Sequence, residues 1–400
     1  MKILIVHRYF WPDHANCGQI LWQVARHYQL EGHQVDVLTS LPSRNSSSKK
    51  IEKRIFEKKE NVNIRRVNLP NETNSIFQRI LNAFKLGFLT NFLVIQNKYE
   101  VIISTSVPPI LSGFFSALSS FFVKARFFYF CMDIYPEIGK VSGDFSNRIF
   151  YKLLEKIDNW SCKRAISVIV HSSDMKKSLK KRSGGNKFKI DIINNFSVPS
   201  ELNAKQDYSR KYEIKKKKLT IVFAGNIGRL QGLEEIIDAM SLIKSRKDIE
   251  LVIVGEGVAK NKLIYRARKG NANVIFFDHQ SINTTKEIIN KADVGLVTLR
   301  PKIIKYAYPG KVMTYLEQSK PIITTVESES ELVKKMKSEG YGFCISNKNI
   351  LAISELFIEL ADDSSWKSKM NKSALKAYKK NFSKKKILEK WSKILQYEKK

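Results

Sequence analysis

Short, uninterrupted apolar runs recur along this chain at intervals wide enough for a helix between them, and that spacing restricts the fold most. KILIV opens the sequence, and QVDVLT, VNIRRV, EVIISTS, RFFYFCM, ISVIVH and FKIDIIN follow it. A run without polar alternation suits a parallel strand covered on both faces, whereas half-exposed antiparallel strands alternate. Between the first two runs, Ile20, Leu21, Val24, Ala25 and Tyr28 recur at helical spacing and Gly32 supplies the left-handed stop. That is a βαβ unit, and its repetition predicts a parallel sheet with helices on both faces.

The pattern breaks once. Residues 200–218 are polar, lack apolar periodicity and end in KKKK, as expected of a linker. A second series then begins with LTIVFAG and continues through ELVIVG, NVIFF, VGLVTL, PIITT and YGFCIS. Four hundred residues also exceed what one core usually serves. The expected organisation is an N-terminal domain over 1–199, a linker over 200–218, a C-terminal domain over 219–378, and a basic amphipathic helix over 379–400. That helix carries Ile387, Leu388, Trp391 and Leu395 and is expected to return to the first domain. The predicted fold is α/β, with two doubly wound parallel-sheet domains facing across a cleft and a ligand held at the carboxyl ends of their strands.

Composition narrows the partners. With 43% apolar and 27% charged residues the chain is ordinary globular material. Its 70 basic and 38 acidic residues leave a formal charge of +32, which favours an anionic membrane leaflet, a diphosphate or nucleic acid. No recognition-helix or aromatic-platform motif supports nucleic acid as a partner. The four cysteines have no CxxC spacing, so a disulfide framework is not expected and a reducing cytoplasm is. MKILIVHRYFWP lacks the small-residue cleavage site of a signal peptide.

Two apolar stretches bear on membranes. VPPILSGFFSALSSFFV (107–123) sits between two strand candidates and reads as a buried crossover helix. IFQRILNAFKLGFLTNFLVIQ (76–96) is interrupted by Arg79 and Lys85 and reads as interfacial, with Phe77, Phe84, Phe88 and Phe92 on one face. The basic run of Lys49, Lys50, Lys53, Arg54, Lys58 and Lys59 precedes it. Together they predict peripheral seating on the inner face of the cell membrane.

Two motifs carry chemistry. In FAGNIGRLQGLEEII a strand runs out at Phe223, and Gly225, Gly228 and Gly232 let the backbone approach a ligand before a helix starts. Arg229, read as standing at that helix start, supplies a guanidinium that can grip a diphosphate through two oxygens. The spacing is not the dinucleotide GxGxxG, which disfavours a nicotinamide enzyme. In YPGKVMTYLEQSKPII, Pro309 marks a helix start and Lys311 falls in its first turn, an electrostatically unfavourable place for a cation unless an anion docks there.

FAGNIGxxQGL, then VGEG (254–257), then PxKxxxYL ending in KPII resembles the retaining glycosyltransferases of family 4. The nearest resemblance is to the branch that builds bacterial capsule, O-antigen and colanic acid, including fucosamine transferases. VHRYFWP, Gly18, GHQVDVLTSLP, STSVPP, DIYPE and IINNF follow in the order that family shows, so the resemblance spans nearly the whole chain. It implies a GT-B fold, with a nucleotide-sugar donor on the C-terminal domain and the acceptor on the N-terminal one. By that resemblance Gly225, Asn226 and Arg229 lie near the donor diphosphate, with Gly18 facing it from the first domain. Glu256 and Gly257 border the nucleotide base, and Pro309, Lys311 and Thr314 belong to the donor site. Asp133, in DIYPE, falls where the family places a polar residue at the donor sugar and acceptor, so Asp133 and Lys311 are the candidate catalytic residues. The implied donor is UDP-linked, such as an N-acetylated deoxyhexose, and the implied acceptor an undecaprenyl-diphosphate-linked saccharide.

The chain departs from the family in three places. Gln231 stands where many members carry lysine, and the family's paired glutamates align with Tyr306 and Thr314. Glu317, one turn beyond Thr314, is a candidate substitute. These departures leave a second possibility, a transferase-like scaffold with little activity; a sugar-nucleotide epimerase of the same fold is the other alternative. No DxD occurs, so no metal and no other cofactor is expected, and cationic side chains would stabilise the leaving diphosphate.

Overall fold

The computed structural model describes residues 1–13, 16–42, 54–70, 76–145, 147–182, 184, 187–200, 217–346 and 348–397. Most of the expected linker, Lys49, Lys50 and Lys53 lie outside the described residues. The chain divides into two compact units. One holds Met1–Asn194, Lys305–Tyr308 and Lys385–Lys400; the other holds Asn195–Ile304 and Pro309–Lys384.

Among the described residues, the first unit has eight strands: β1 (Lys2–Val6), β2 (Gln34–Ser40), β3 (Phe56–Lys59), β4 (Val62–Val67), β5 (Val101–Thr105), β6 (Arg126–Phe130), β7 (Ser167–Val170) and β8 (Ile190–Ile192). Their order is β3-β4-β2-β1-β5-β6-β7-β8. The connecting helices are α1 (Asn16–Leu30), α2 (Ile76–Asn97), α3 (Leu111–Val123), α4 (Glu137–Ser142), α5 (Arg148–Arg164) and α6 (Ser173–Lys180). One edge strand that the sequence does not announce departs from the parallel pattern: β3 pairs antiparallel with β4. Its sequence, FEKK, is half-exposed and carries none of the apolar signal that marks the buried strands.

The second unit has β9 (Leu219–Ala224), β10 (Ile249–Val254), β11 (Val274–Phe277), β12 (Val294–Val297), β13 (Ile322–Thr324) and β14 (Gly342–Cys344), all parallel, in the order β11-β10-β9-β12-β13-β14. Its helices are α7 (Glu234–Leu242), α8 (Lys260–Lys269), α9 (Ile282–Lys291), α10 (Lys311–Glu317), α11 (Glu331–Glu339), α12 (Ile350–Asp362) and α13 (Trp366–Asn381). Strand order reverses at β1/β5 in one sheet and at β9/β12 in the other. The loops leaving the carboxyl ends of the strands there are where such sheets hold ligands.

The basic helix near the C-terminus begins later than its sequence suggests, at Lys384, because α13 continues to Asn381. This helix, α14 (Lys384–Ile394), packs into the first unit through buried Ile387, Leu388 and Trp391. The Tyr28 hydroxyl donates to the Trp391 carbonyl at 2.9 Å, and the Trp391 ring meets Phe130 edge-on. One apolar face thus closes over α1 and the sheet while the lysines stay outside.

Helices α2, α3 and α5 lie side by side in one layer, α3 touching both others. α3 is the expected crossover between β5 and β6. Phe77, Phe84, Phe88 and Phe92 of α2 are 69%, 39%, 62% and 61% exposed, an unusually apolar free face for a surface helix. No helix among the described residues is long and apolar enough to cross a membrane.

Candidate functional site

Lys311 is the best-defined element of the site. Its helix is held against the sheet by Tyr315, whose buried hydroxyl accepts from Ala224 N at 2.8 Å and donates to Leu296 O at 3.4 Å. The Tyr315 ring occupies the space a Cβ on Gly295 would need. This anchoring carries Lys311 Nζ over the Phe223 ring, 3.6 Å from its centre, and to Gln231 Oε1 at 2.6 Å. Lys311 Cε also lies 3.6 Å from where a Cβ on Gly225 would sit. Burial holds the Lys311 ammonium well below the usual lysine range. Among the described residues no carboxylate is bonded to it, so an arriving anion would complete the site.

The loops around that lysine are packed backbone on backbone. Gly225 has φ +139°, a conformation side chains resist. A Cβ on Gly257 would strike Ile227 O at 2.3 Å, and Ile227 N donates to Glu256 O at 2.8 Å. The GNIG and GEG loops therefore form one rigid ledge, with Asn226 exposed upon it. Glu256 is bonded to Lys260 at 2.6 Å, and Lys260 reaches on to Asp278 at 2.5 Å. Burial pulls the Lys260 ammonium down, but the bonds from Asp278 and Glu256 outweigh it and leave its pKa raised.

Arg229 is exposed and makes no side-chain bond among the described residues. The expectation that it begins a helix is corrected: α7 starts at Glu234, and Arg229 stands in the preceding loop. The first turn of α7 instead carries Glu234 and Glu235, which already complement the helix dipole. Pro309 is buried just ahead of Gly310, which caps α10.

Asp133 belongs to the first unit, two residues beyond Cys131 on the stretch that continues β6. Ser106 Oγ accepts from Met132 N at 3.1 Å and from Asp133 N at 3.3 Å. Asp133 bridges to Ala307, and Ile134 N donates to Tyr306 O at 2.9 Å. With its backbone tied on both sides, the half-buried carboxyl has its pKa pushed up to about 6 by burial. Gly18 is buried in the same unit, where a Cβ would lie 2.4 Å from Tyr9 O. Its absence of a side chain lets α1 press on the loop after β1.

The aligned glutamate positions have structural explanations. The Tyr306 ring packs against the core of the first unit, where a carboxylate would lose its hydration. Thr314 Oγ1 is 3.4 Å from Ser197 Oγ. Glu317, the candidate substitute, is bonded to Lys286 at 2.6 Å and to Ser197 Oγ at 2.7 Å.

The structure brings Gly225, Glu256, Gly257 and Lys311 together in the second unit and leaves Gly18 and Asp133 in the first. Phe223 and Gln231, which cradle Lys311, and Lys260 with Asp278 escape sequence reasoning. Gln231 is visible in the sequence as a departure from the family, but its partner is 80 residues away.

Residues 18–198 match the family described as Glycosyltransferase Family 4, and residues 204–379 match Glycosyl transferases group 1. A probable glycosyltransferase WbjE of Pseudomonas aeruginosa is 24% identical over 295 residues, 72% of this chain and 71% of that protein. The colanic acid biosynthesis glycosyl transferase WcaI of Escherichia coli K12, whose assignment there is provisional, is 28% identical over 138 residues, 34% of each chain. Among solved structures, sucrose-phosphate synthase of Thermosynechococcus elongatus superposes with a TM-score of 0.78 at 13% identity, covering 99% of this chain and 98% of that one. Anabaena HepE in complex with UDP-glucose gives a TM-score of 0.71 at 13% identity, covering 99% of each.

Proposed function

We propose that this chain, a glycosyltransferase of GT-B type built from a family 4 domain and a group 1 domain, transfers a UDP-linked sugar with retention to a lipid-linked saccharide in surface polysaccharide synthesis. One observation carries the donor reading: Lys311, half-buried and held by Gln231 and Phe223 beside the Gly225 turn, has no anionic partner among the described residues. A donor diphosphate supplies that charge, and a neighbour of the same fold binds UDP-glucose. Arg229 from the exposed loop is the second cation.

In this reading the acceptor oxygen bonds to the sugar's anomeric carbon on the face the leaving diphosphate vacates. The carbon–oxygen bond to phosphate breaks, and the acceptor proton passes to a phosphate oxygen. Lys311 and Arg229 stabilise the charge that grows on the diphosphate, and Asp133 orients the acceptor hydroxyl. The same cations take the place of a divalent ion, so no metal is required. The sugar we favour is an N-acetylated deoxyhexose, and the acceptor an undecaprenyl-diphosphate-linked saccharide. A panel of UDP-sugars offered with membrane extract, read by mass spectrometry of the lipid fraction, tests this. Transfer that survives excess chelator is expected; transfer from none of the donors, or loss restored by magnesium or manganese, would overturn the donor or metal reading respectively.

The seating we propose is peripheral, on the inner face of the cell membrane. The exposed phenylalanines of α2 support it, as do Phe121 and Phe122 at the end of α3, 56% and 64% exposed. Beyond α3, helix α5 presents Arg148, Lys152, Lys156, Lys163 and Arg164 to solvent among exposed Ile149 and Leu153. Apolar side chains with cations beside them suit an anionic headgroup layer. These α5 cations lie in the helical layer itself, whereas Arg54, Lys58 and Lys59 lie at the β3 edge, where Lys59 covers the Trp11 ring.

A further inference from the structure

We propose that Arg182 and Glu137 are a positioning pair that fixes the loop carrying Asp133, acting on transfer through that loop and touching neither substrate. This rests on the reading of Asp133 as an acceptor-orienting group. The Arg182 side chain is 2% exposed and divides its guanidinium between the stretch 135–137 and α5. Nε donates to Glu137 Oε1 at 2.6 Å, Nη2 to Glu137 Oε2 at 2.5 Å, and the same Nη2 to Tyr135 O at 2.5 Å. Nη1 donates to Asp158 Oδ2 at 2.5 Å, and Asp158 Oδ1 accepts from the Tyr129 hydroxyl at 2.9 Å. Tyr129 lies on β6, the strand that leads into Asp133. The guanidinium therefore ties both ends of the segment 129–137 to one rigid fork.

Burial alone would lower the pKa of Arg182, but Asp158 and Glu137 raise it well above the usual range, so the guanidinium keeps its charge in the packed interior. A buried triad of this kind adds little net stability over apolar packing. What it supplies here is geometry. Asp133 has its main chain bonded to Ser106 and bridged to Ala307, and Arg182 closes the third side at Tyr135 and Glu137. A lysine could not bond both groups in one plane.

Glu137→Gln tests the pair, because it keeps the shape of the side chain and leaves Arg182 its bond to Asp158. The expected result is a loss of roughly tenfold to a hundredfold in kcat, with donor KM within about twofold of wild type, as for a catalytic group displaced by a fraction of an ångström. Because the pair acts through Asp133, the same substitution made on Asp133→Asn should cost little more. Arg182→Lys, which retains the charge and loses the fork, should show the same pattern. It also keeps the test open should Glu137→Gln melt early. Unchanged kcat in both variants, or equal fold losses with and without Asp133, overturns the pair. Full activity of Asp133→Asn alone would instead sink the reading on which it rests.

Discussion

Lys311 Nζ donates to Gln231 Oε1 at 2.6 Å, across 80 residues of sequence, above the face of Phe223. A neutral amide and an aromatic ring hold the ammonium in place but do not neutralise it, and burial keeps its pKa well below the usual lysine range. When a diphosphate arrives, the opposite charge raises that pKa again. Binding should therefore take up a proton, and affinity for UDP should weaken by up to about tenfold per pH unit as pH rises past the pKa of the free lysine. Calorimetry in two buffers of different ionisation enthalpy measures the uptake. A Lys311→Met variant should lose it, and an absence of uptake in the wild type would count against a diphosphate at this lysine.

Arg229 is exposed, so the charge it brings is not already spent in the fold. Arg229→Ala should leave the melting temperature unchanged and reduce transfer roughly tenfold to a hundredfold, the worth of one charge-assisted bond to phosphate. Wild-type kcat/KM in this variant would exclude it from the donor site.

Asp133 has its carboxyl pKa raised to about 6 by burial. A raised carboxyl contributes stability fully below the unfolded value and loses it as pH rises through the folded one, so ionised Asp133 is a burden to the fold at neutral pH. Asp133→Asn should melt no lower than wild type at pH 7.5, while turnover falls at least about tenfold. If the ionised form orients the acceptor, wild-type turnover should climb with pH through about 6, and the variant should not show that limb. A lower melting temperature with unchanged turnover would assign Asp133 to loop structure alone.

The membrane face should require anionic lipid. Sedimentation with vesicles containing acidic phospholipid should bind the wild type in low salt and weaken at high salt, since the field decays over about 10 Å at 0.1 M. Replacing Phe84 and Phe88 with Ser should reduce binding through lost apolar insertion, and reversing Lys152 and Lys156 to Glu should reduce it through lost attraction. Equal binding to neutral vesicles would remove the electrostatic part, and no binding to any vesicle would remove the proposal.

The two sheets were readable in the sequence because buried parallel strands must be continuously apolar. KILIV and LTIVFA announce β1 and β9 by composition alone, and the polar stretch between the two series marks where one ends. β3 gave no such signal, because an edge strand half in water need not be apolar. Lys311 was legible as a cation at a helix start, and Gly225 as the turn before a helix, since both signals are local. The start of α7 is not legible in this way, and Arg229 stands in the loop five residues ahead of Glu234.

Tertiary structure alone decided the partners. Nothing near Lys311 in sequence indicates Gln231, and nothing near Glu317 indicates Lys286, with which it pairs. The Arg182 fork on Tyr135 and Glu137 is likewise invisible along the chain, 45 residues separating Arg182 from Glu137. Strand and helix follow from short-range periodicity, which each segment carries by itself. Charge compensation and desolvation depend on which segments are folded against one another, and so the electrostatic character of each candidate residue is fixed only in the packed protein.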